Sequence, residues 1–277
     1  MTSNQTTQLL FLGGGNMATA ILSGLLSKGL YAPADLLVAE IRPERRAELA
    51  AAYAVPVAAT PLEALAAGGP PVVLLATKPQ QAPALLREIA PRLSAGTLLL
   101  SICAGIPTAT LEELTPCRAI RIMPNLPATV QEGVSALAKG ARATDADLQA
   151  ALRIFGAIGT ALALPEERLD LVTGLSGSGP GYVFAFIEAL EAAGVEGGIP
   201  APLARQMAIG TVLGAAKLAV AETARPGGAS PAVLRQRVSS PGGTTLAGLA
   251  AAEEGGFSAA VLAAVRAATN RSAELAR

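Results

Sequence analysis

The sequence predicts an α/β domain on a parallel, doubly wound sheet, followed by an all-α domain. Three observations carry this. An apolar run near the N-terminus ends in glycines and then changes to helical spacing. Short apolar runs then alternate with helical segments as far as Pro165, the pattern of strands joined by crossover helices. Beyond Pro165 strand signals fade and long apolar helical segments take over.

The elements follow in order. Gln8-Leu9-Leu10-Phe11-Leu12 is a buried strand, and Thr19 to Lys28 a helix. Between them Gly13-Gly14-Gly15-Asn16-Met17-Ala18 reads G-x-G-x-x-A, the spacing and context of a dinucleotide fingerprint. Gly13 allows the tight turn, Gly15 lets a pyrophosphate approach the backbone, and Ala18 permits close packing of helix on strand. The plain alternative is a glycine-rich turn with no ligand.

Leu36 to Ala39 is the second strand, ending at Glu40-Ile41-Arg42. A carboxylate there favours the free ribose diol of NAD, whereas an arginine favours the 2′-phosphate of NADP. Glu40 argues for the first; Arg42, with Arg45 or Arg46 behind it, argues for the second. The reading taken is NADPH, with NADH as the second donor. The arginines also suit a solvated face of a helix from Pro43 to Ala51.

Pro71 to Ala76, Thr97 to Ile102 and Arg118 to Met123 are further buried strands, separated by helices at Ala82 to Arg92 and Thr108 to Leu114. In such sheets ligands bind beyond the carboxyl ends of the strands. Ala76-Thr77-Lys78-Pro79, Cys103-Ala104-Gly105 and Met123-Pro124-Asn125 all fall there. Lys78 is the only ionisable side chain among them, either a cofactor neighbour or a solvated lysine. Val134 to Ala138 is another strand, Asp145 to Phe155 a helix, and Ala161 to Leu164 the last strand. The domains divide into 1–165 and 166–277. The second holds helices at Tyr182 to Val195, Pro202 to Glu222, Leu246 to Glu254 and Phe257 to Leu275. Helices this apolar bury poorly in roughly 110 residues, so a helical dimer interface is expected.

Composition excludes several classes of function. Basic and acidic residues balance at 21 each, with no long charged block, so neither nucleic acid nor an anionic membrane is indicated as a partner. The longest apolar runs, Ile154 to Pro165 and Met207 to Ala216, are shorter than the ~18 residues of a membrane helix. The opening Met1 to Gln8 has no basic start of a secretory signal. Cys103 and Cys117 make neither a disulfide framework nor a metal pattern. A cytoplasmic protein without a metal is the expectation. The chain has no histidine, which removes a histidine acid, a Ser-His-Asp triad and any histidine-ligated metal.

Two loops remain. Ser239-Ser240-Pro241-Gly242-Gly243-Thr244-Thr245 places hydroxyls on a tight turn before a helix at Leu246. Backbone N–H groups at a helix start make a carboxylate or phosphate site. An ordinary N-capping turn is the alternative. Ser176-Gly177-Ser178-Gly179-Pro180 is either a connector or a second wall of a substrate site.

Taken in order, Phe11 to Ala18, Ala76-Thr77-Lys78-Pro79-Gln80, Ser101 to Ile106, Arg121-Ile122-Met123-Pro124-Asn125, Gly177-Ser178-Gly179-Pro180 and Ser240 to Thr245 closely resemble the pyrroline-5-carboxylate reductase family. The resemblance implies a Rossmann-type domain and an all-α dimerisation domain, in homodimers or in a decamer of five dimers. It implies reduction of 1-pyrroline-5-carboxylate to L-proline by NADPH or NADH. On the family's pattern Thr245 is the catalytic residue, sharing a hydrogen bond with the ring nitrogen. Ser240 with the N–H groups of Gly243 and Thr244 holds the substrate carboxylate. Gly13, Gly14, Gly15, Asn16, Met17, Arg42, Ala76, Thr77, Lys78, Pro79, Cys103, Ala104, Gly105 and Asn125 are the implied cofactor residues. Leu126 and Glu40 depart from the usual pattern. Two rivals stand beside this reading. A short hydroxy-acid dehydrogenase needs a positioned Lys or His acid, and the second domain offers only Lys217. A non-catalytic NADP sensor does not account for the Ser240 to Thr245 loop.

Overall fold

The computed structural model describes residues 7–66 and 68–275. The opening segment 1–6, on which the absence of a secretory start is read, lies outside them, as do the last two positions of the helical domain. The chain forms two compact units: Met1–Ser178 with Ala267–Arg277, and Gly179–Arg266.

The first unit contains strands β1 (Leu9–Leu12), β2 (Leu36–Ala39), β3 (Val57–Ala58), β4 (Val72–Leu75), β5 (Leu98–Ser101), β6 (Arg118–Met123), β7 (Gly133–Lys139) and β8 (Gly159–Ala163). Its helices are α1 (Asn16–Ser27), α2 (Pro43–Tyr53), α3 (Pro61–Ala64), α4 (Ala82–Ile89), α5 (Thr108–Leu114), α6 (Asp145–Gly156) and α7 (Leu169–Val172). One sheet holds all eight strands in the order β3-β2-β1-β4-β5-β6-β7-β8. β1 lies between β2 and β4, so the chain reverses direction across the sheet next to the glycine turn.

The sheet is not wholly parallel, as strand alternation implied. β6 and β7 run antiparallel, with Ile122 opposite Leu137. A parallel return takes a crossover of about a dozen or more residues. Only a 3-10 turn at Leu126–Val130 separates these strands, so the chain doubles back. The short β3 and α3 carry too few residues to show periodicity and were not expected.

Alternation along each strand feeds two cores. Leu9 and Phe11 pack with Ile21 and Leu25 of α1 and Phe155 of α6. Leu10 and Leu12 pack on the other face with Leu86 and Ile89 of α4 and Leu111 of α5. Burying side chains of this size is worth about 1.5–3 kcal/mol each. α6 starts with a reciprocal cap: Asp147 N–H donates to Thr144 Oγ1, and Thr144 N–H donates to Asp147 Oδ2 at 2.8 Å.

The second unit is helical: α8 (Gly179–Glu196), α9 (Ala201–Thr223), α10 (Pro231–Arg237), α11 (Thr244–Glu254) and the start of α12 (Phe257–Leu275). α10 was not expected, because its seven residues are too few to show a helical period and are flanked by turn signals. α8 and α9 pack where Gly194 meets Ala204, and Arg205 forms a two-pronged pair with Glu191. Much of this unit's apolar surface is open: Phe184, Leu213 and Val220 are 53%, 51% and 69% exposed. The apolar-run reading also needs correction here. α9 continues through Lys217 for 23 residues, and by length and composition it is apolar enough to cross a membrane. Its open apolar face suits burial against a protein partner equally well.

Candidate active site

The glycine turn leads from β1 into α1 beside the carboxyl ends of β4, β5 and β6. A cleft of about 320 Å³ lies there, lined by Gly15, Asn16, Met17, Ala76, Thr77 and Lys78 on one side. Ala18, Ile102, Ala104, Met123 and Pro124 complete it. Gly13 sits below the turn at φ +105°, where an added Cβ would fall 2.8 Å from the Ala76 carbonyl oxygen. Gly15 is the N-cap of α1 with no side chain bonded to the helix start, and nothing lies within 4 Å of where its Cβ would be. The first N–H groups of α1 therefore lack intrahelical partners beside open space.

Thr77 Oγ1 is enclosed yet has no hydrogen-bond partner among the described residues. A buried hydroxyl without a partner is costly, and here it belongs to a residue lining the cleft. The glycine cradle, the open helix start and the orphan hydroxyl together fit a dinucleotide.

The other expected cofactor residues lie in and around this cleft. Cys103 is buried, and its thiol points at the carbonyl oxygens of Thr77 and Leu75, at 3.3 and 3.8 Å. Burial pushes its pKa up, so it is a neutral thiol holding two loops together. Pro79 begins a 3-10 turn after Lys78, and Gly105 turns the next loop at φ +76°. Lys78 is exposed and forms no ion pair among the described residues. Asn125 is buried, with both ends of its amide engaged. Its Nδ2 donates to Ser176 O at 3.0 Å and its Oδ1 accepts from Val134 N–H at 2.8 Å. It braces the Met123-Pro124 wall against the π-helical turn Thr173–Gly177. Ile102, Met123 and Pro124 line the cleft itself; the sequence marks them by position at strand ends and by the motifs of the family resemblance.

Gly14 and Arg42 meet at Glu40, just beyond the end of β2. Gly14 N–H donates to Glu40 Oε2 at 3.0 Å, and Arg42 donates to Glu40 Oε1 from both its backbone N–H and Nε, each at 3.0 Å. Burial raises the Glu40 pKa, but the hydrogen bonds from Arg42 and Gly14 outweigh it and leave the carboxyl below its ordinary value. The Gly14 carbonyl accepts from Arg45 Nε at 2.8 Å. Glu40 and Arg45 thus grip the two sides of the Gly14 residue, a pairing across 26 and 31 positions that no local pattern reveals.

In the second unit Ser240, Gly243, Thr244 and Thr245 form the start of α11. The helix begins at Thr244, two residues earlier than the apolar pattern indicated, with Gly243 as N-cap. Among the described residues no side chain caps it, so the hydroxyls are not consumed as ordinary caps. Gly242 lies at φ +69°, and Gly243 N–H closes the turn on Ser240 O at 2.9 Å. A Cβ on Gly243 would fall 2.4 Å from Ser240 Oγ. The N–H groups of Thr244, Thr245 and Leu246 occupy the first helical turn and have no intrahelical acceptor.

A cleft of this kind at the glycine turn of a Rossmann-type sheet defines a nicotinamide-dinucleotide oxidoreductase. The family model for NADP oxidoreductase coenzyme F420-dependent matches residues 8–105, and that for pyrroline-5-carboxylate reductase dimerisation matches residues 166–275. The chain belongs to the pyrroline-5-carboxylate reductase family. It is 42% identical to the pyrroline-5-carboxylate reductase of Synechocystis sp., covering 98% of each chain. It is 40% identical to that of Arabidopsis thaliana, over 96% of this chain and 95% of the other. The solved pyrroline-5-carboxylate reductase of Coxiella burnetii superposes with a TM-score of 0.90 at 32% identity, covering 98% of this chain and 99% of that one. The Plasmodium falciparum pyrroline carboxylate reductase with NADP bound superposes at 0.84, with 27% identity and 99% of each chain covered.

Proposed function

We infer that this chain reduces 1-pyrroline-5-carboxylate to L-proline with NAD(P)H, the last step of proline biosynthesis. The observation that carries it is the start of α11, where two threonines and Ser240 surround a helix N-terminus that no side chain caps. Such a start receives a carboxylate, and its hydroxyls serve a ring nitrogen beside it.

The reduced nicotinamide supplies a hydride to the C=N carbon of the substrate. An imine held as its iminium needs no strong protein acid, which suits a chain without histidine. The protein's part is then to position and to exclude water. Thr245 Oγ shares a hydrogen bond with the ring nitrogen. Ser240 and the Thr244 N–H hold the carboxylate, while Gly243, whose own N–H is committed to Ser240, provides the close turn. The N–H groups at the start of α1 receive the pyrophosphate, with Thr77, Lys78 and Ala104 beside it.

The functional division is 1–165 for the dinucleotide and 166–277 for substrate and dimerisation. The family match begins at 166, while the compact units divide after Ser178 and return the end of α12 to the first. The working assembly is at least a homodimer, in the cytoplasm, with a decamer of five dimers as the larger alternative. The open apolar faces of α8 and α9 support the dimer.

The test is NADPH oxidation, followed optically, by purified protein with racemic 1-pyrroline-5-carboxylate, repeated with NADH. Imine-dependent oxidation is expected with at least one donor. A protein that binds NADPH and oxidises it with no cyclic imine would be a sensor instead.

A further inference from the structure

Glu40 directly follows β2, at the position where a carboxylate in this fold accepts from the ribose diol of NAD. Its side chain is 7% exposed, and both oxygens are engaged within the protein, one by Gly14 and the other by Arg42. Its three neighbouring arginines divide the remaining work. Arg45 is committed to the Gly14 carbonyl, Thr19 Oγ1 and Glu48. Arg46 donates Nη1 to the carbonyls of Glu40 and Ile41. Arg42 is different: its side chain is 62% exposed, only Nε is bonded, and its two outer nitrogens have no partner among the described residues.

We propose that Glu40 is a positioning residue which anchors Arg42 so that its outer nitrogens receive the 2′-phosphate of NADPH. This rests on the dinucleotide reading of the β1–α1 turn and names the donor that reading leaves open. A guanidinium binds phosphate with two parallel N–H groups, and holding Nε in advance leaves the Nη1–Nη2 edge for that purpose. Fixing a long side chain before the ligand arrives lowers the ordering cost of binding. Pairing with Arg42 also means that Glu40 does not meet the phosphate as an uncompensated anion. The carboxylate that sequence alone assigns to NADH thus serves NADPH.

The test is isothermal titration of the full-length chain with adenosine 2′,5′-bisphosphate and adenosine 5′-monophosphate, which differ only in the 2′-phosphate. The wild type is expected to prefer the bisphosphate by at least about tenfold, the scale of one charge-assisted contact. Arg42→Ala, an exposed substitution that leaves the core intact, abolishes that preference. Glu40→Gln keeps an acceptor for Gly14 N–H but presents an NH₂ that cannot accept from Arg42. It weakens the bisphosphate several-fold and leaves the monophosphate unchanged, whereas a merely structural defect would move both ligands together. Tighter bisphosphate binding by Glu40→Gln, or a preference that survives Arg42→Ala, would overturn the proposal. Equal binding of both nucleotides by the wild type would sink it while sparing the dinucleotide site. Binding of neither would remove the site itself, and the proposal with it.

Discussion

Thr245 and Ser240 stand five residues apart on one turn, yet their proposed tasks separate in kinetics. A group that acts on the ring nitrogen as hydride arrives lowers kcat when removed, while one that holds the carboxylate equally in ground and transition states raises KM. Thr245→Ala is therefore expected to lower kcat by about 10–100-fold, the scale of one hydrogen bond to a charged group. Ser240→Ala is expected mainly to raise KM for the imine, in steady-state assays with saturating NADPH. Unchanged kcat and KM in both variants would remove this loop from the reaction. Glu40 offers a prediction in pH. Its carboxyl is held below its ordinary value, so the stabilisation is fully present above the unfolded pKa and is lost as pH falls through the folded one. Glu40→Gln should be less stable than wild type at pH 7 by on the order of 1 kcal/mol. That gap should close as the solution is acidified below about pH 4.3, with urea midpoints across a pH series as the measurement.

At the scale of elements, the β1–α1 turn depends on Gly13 more than on any other glycine of the fingerprint. Its φ of +105° is hostile to a side chain, and the Ala76 carbonyl closes the space a Cβ would need. Gly13→Ala should cost about 1–3 kcal/mol in backbone strain alone and weaken nucleotide binding by shifting the turn off β4. Thermal unfolding and nucleotide titration read the two effects separately; a variant unchanged in both would show that the turn has slack. The elements that long periodic stretches encode were legible in the sequence: β2 and α5 fall on their expected residues, and the two long helices of the second unit begin within three residues of theirs. The antiparallel return of β7 and the short β3, α3 and α10 were not. Their form depends on connection length and neighbours, not on a repeating pattern of their own.

At the scale of the whole molecule, the exposed apolar faces of α8 and α9 are the largest departure from what a lone soluble chain tolerates. The proposed dimer resolves it by burying side chains that the monomer leaves in water. Leu213, 51% exposed on α9, is a fair probe. Leu213→Asp should weaken association by at least ~2 kcal/mol, the worth of one buried leucine, and shift sedimentation from dimer toward monomer. A dimer that persists at low concentration in this variant would move the interface away from α9. Sedimentation of the wild type also decides between the dimer and the decamer.

By itself the sequence determined what short stretches encode: the glycine fingerprint between strand and helix, the alternation of strands and helices, the absence of histidine, and the turn before α11. All but the histidine count are local, because each rests on residues a few positions apart, acting through backbone freedom or side-chain periodicity. Only the tertiary structure decided how Glu40 is used, that Asn125 braces a wall and does not line the cleft, and that Gly243 N–H is committed to its own turn. The first two join residues 26 and 51 positions apart. Which acceptor a buried donor finds depends on the packing of whole elements. A carboxylate at the end of β2 therefore names a place in the fold, and only its partners name its work.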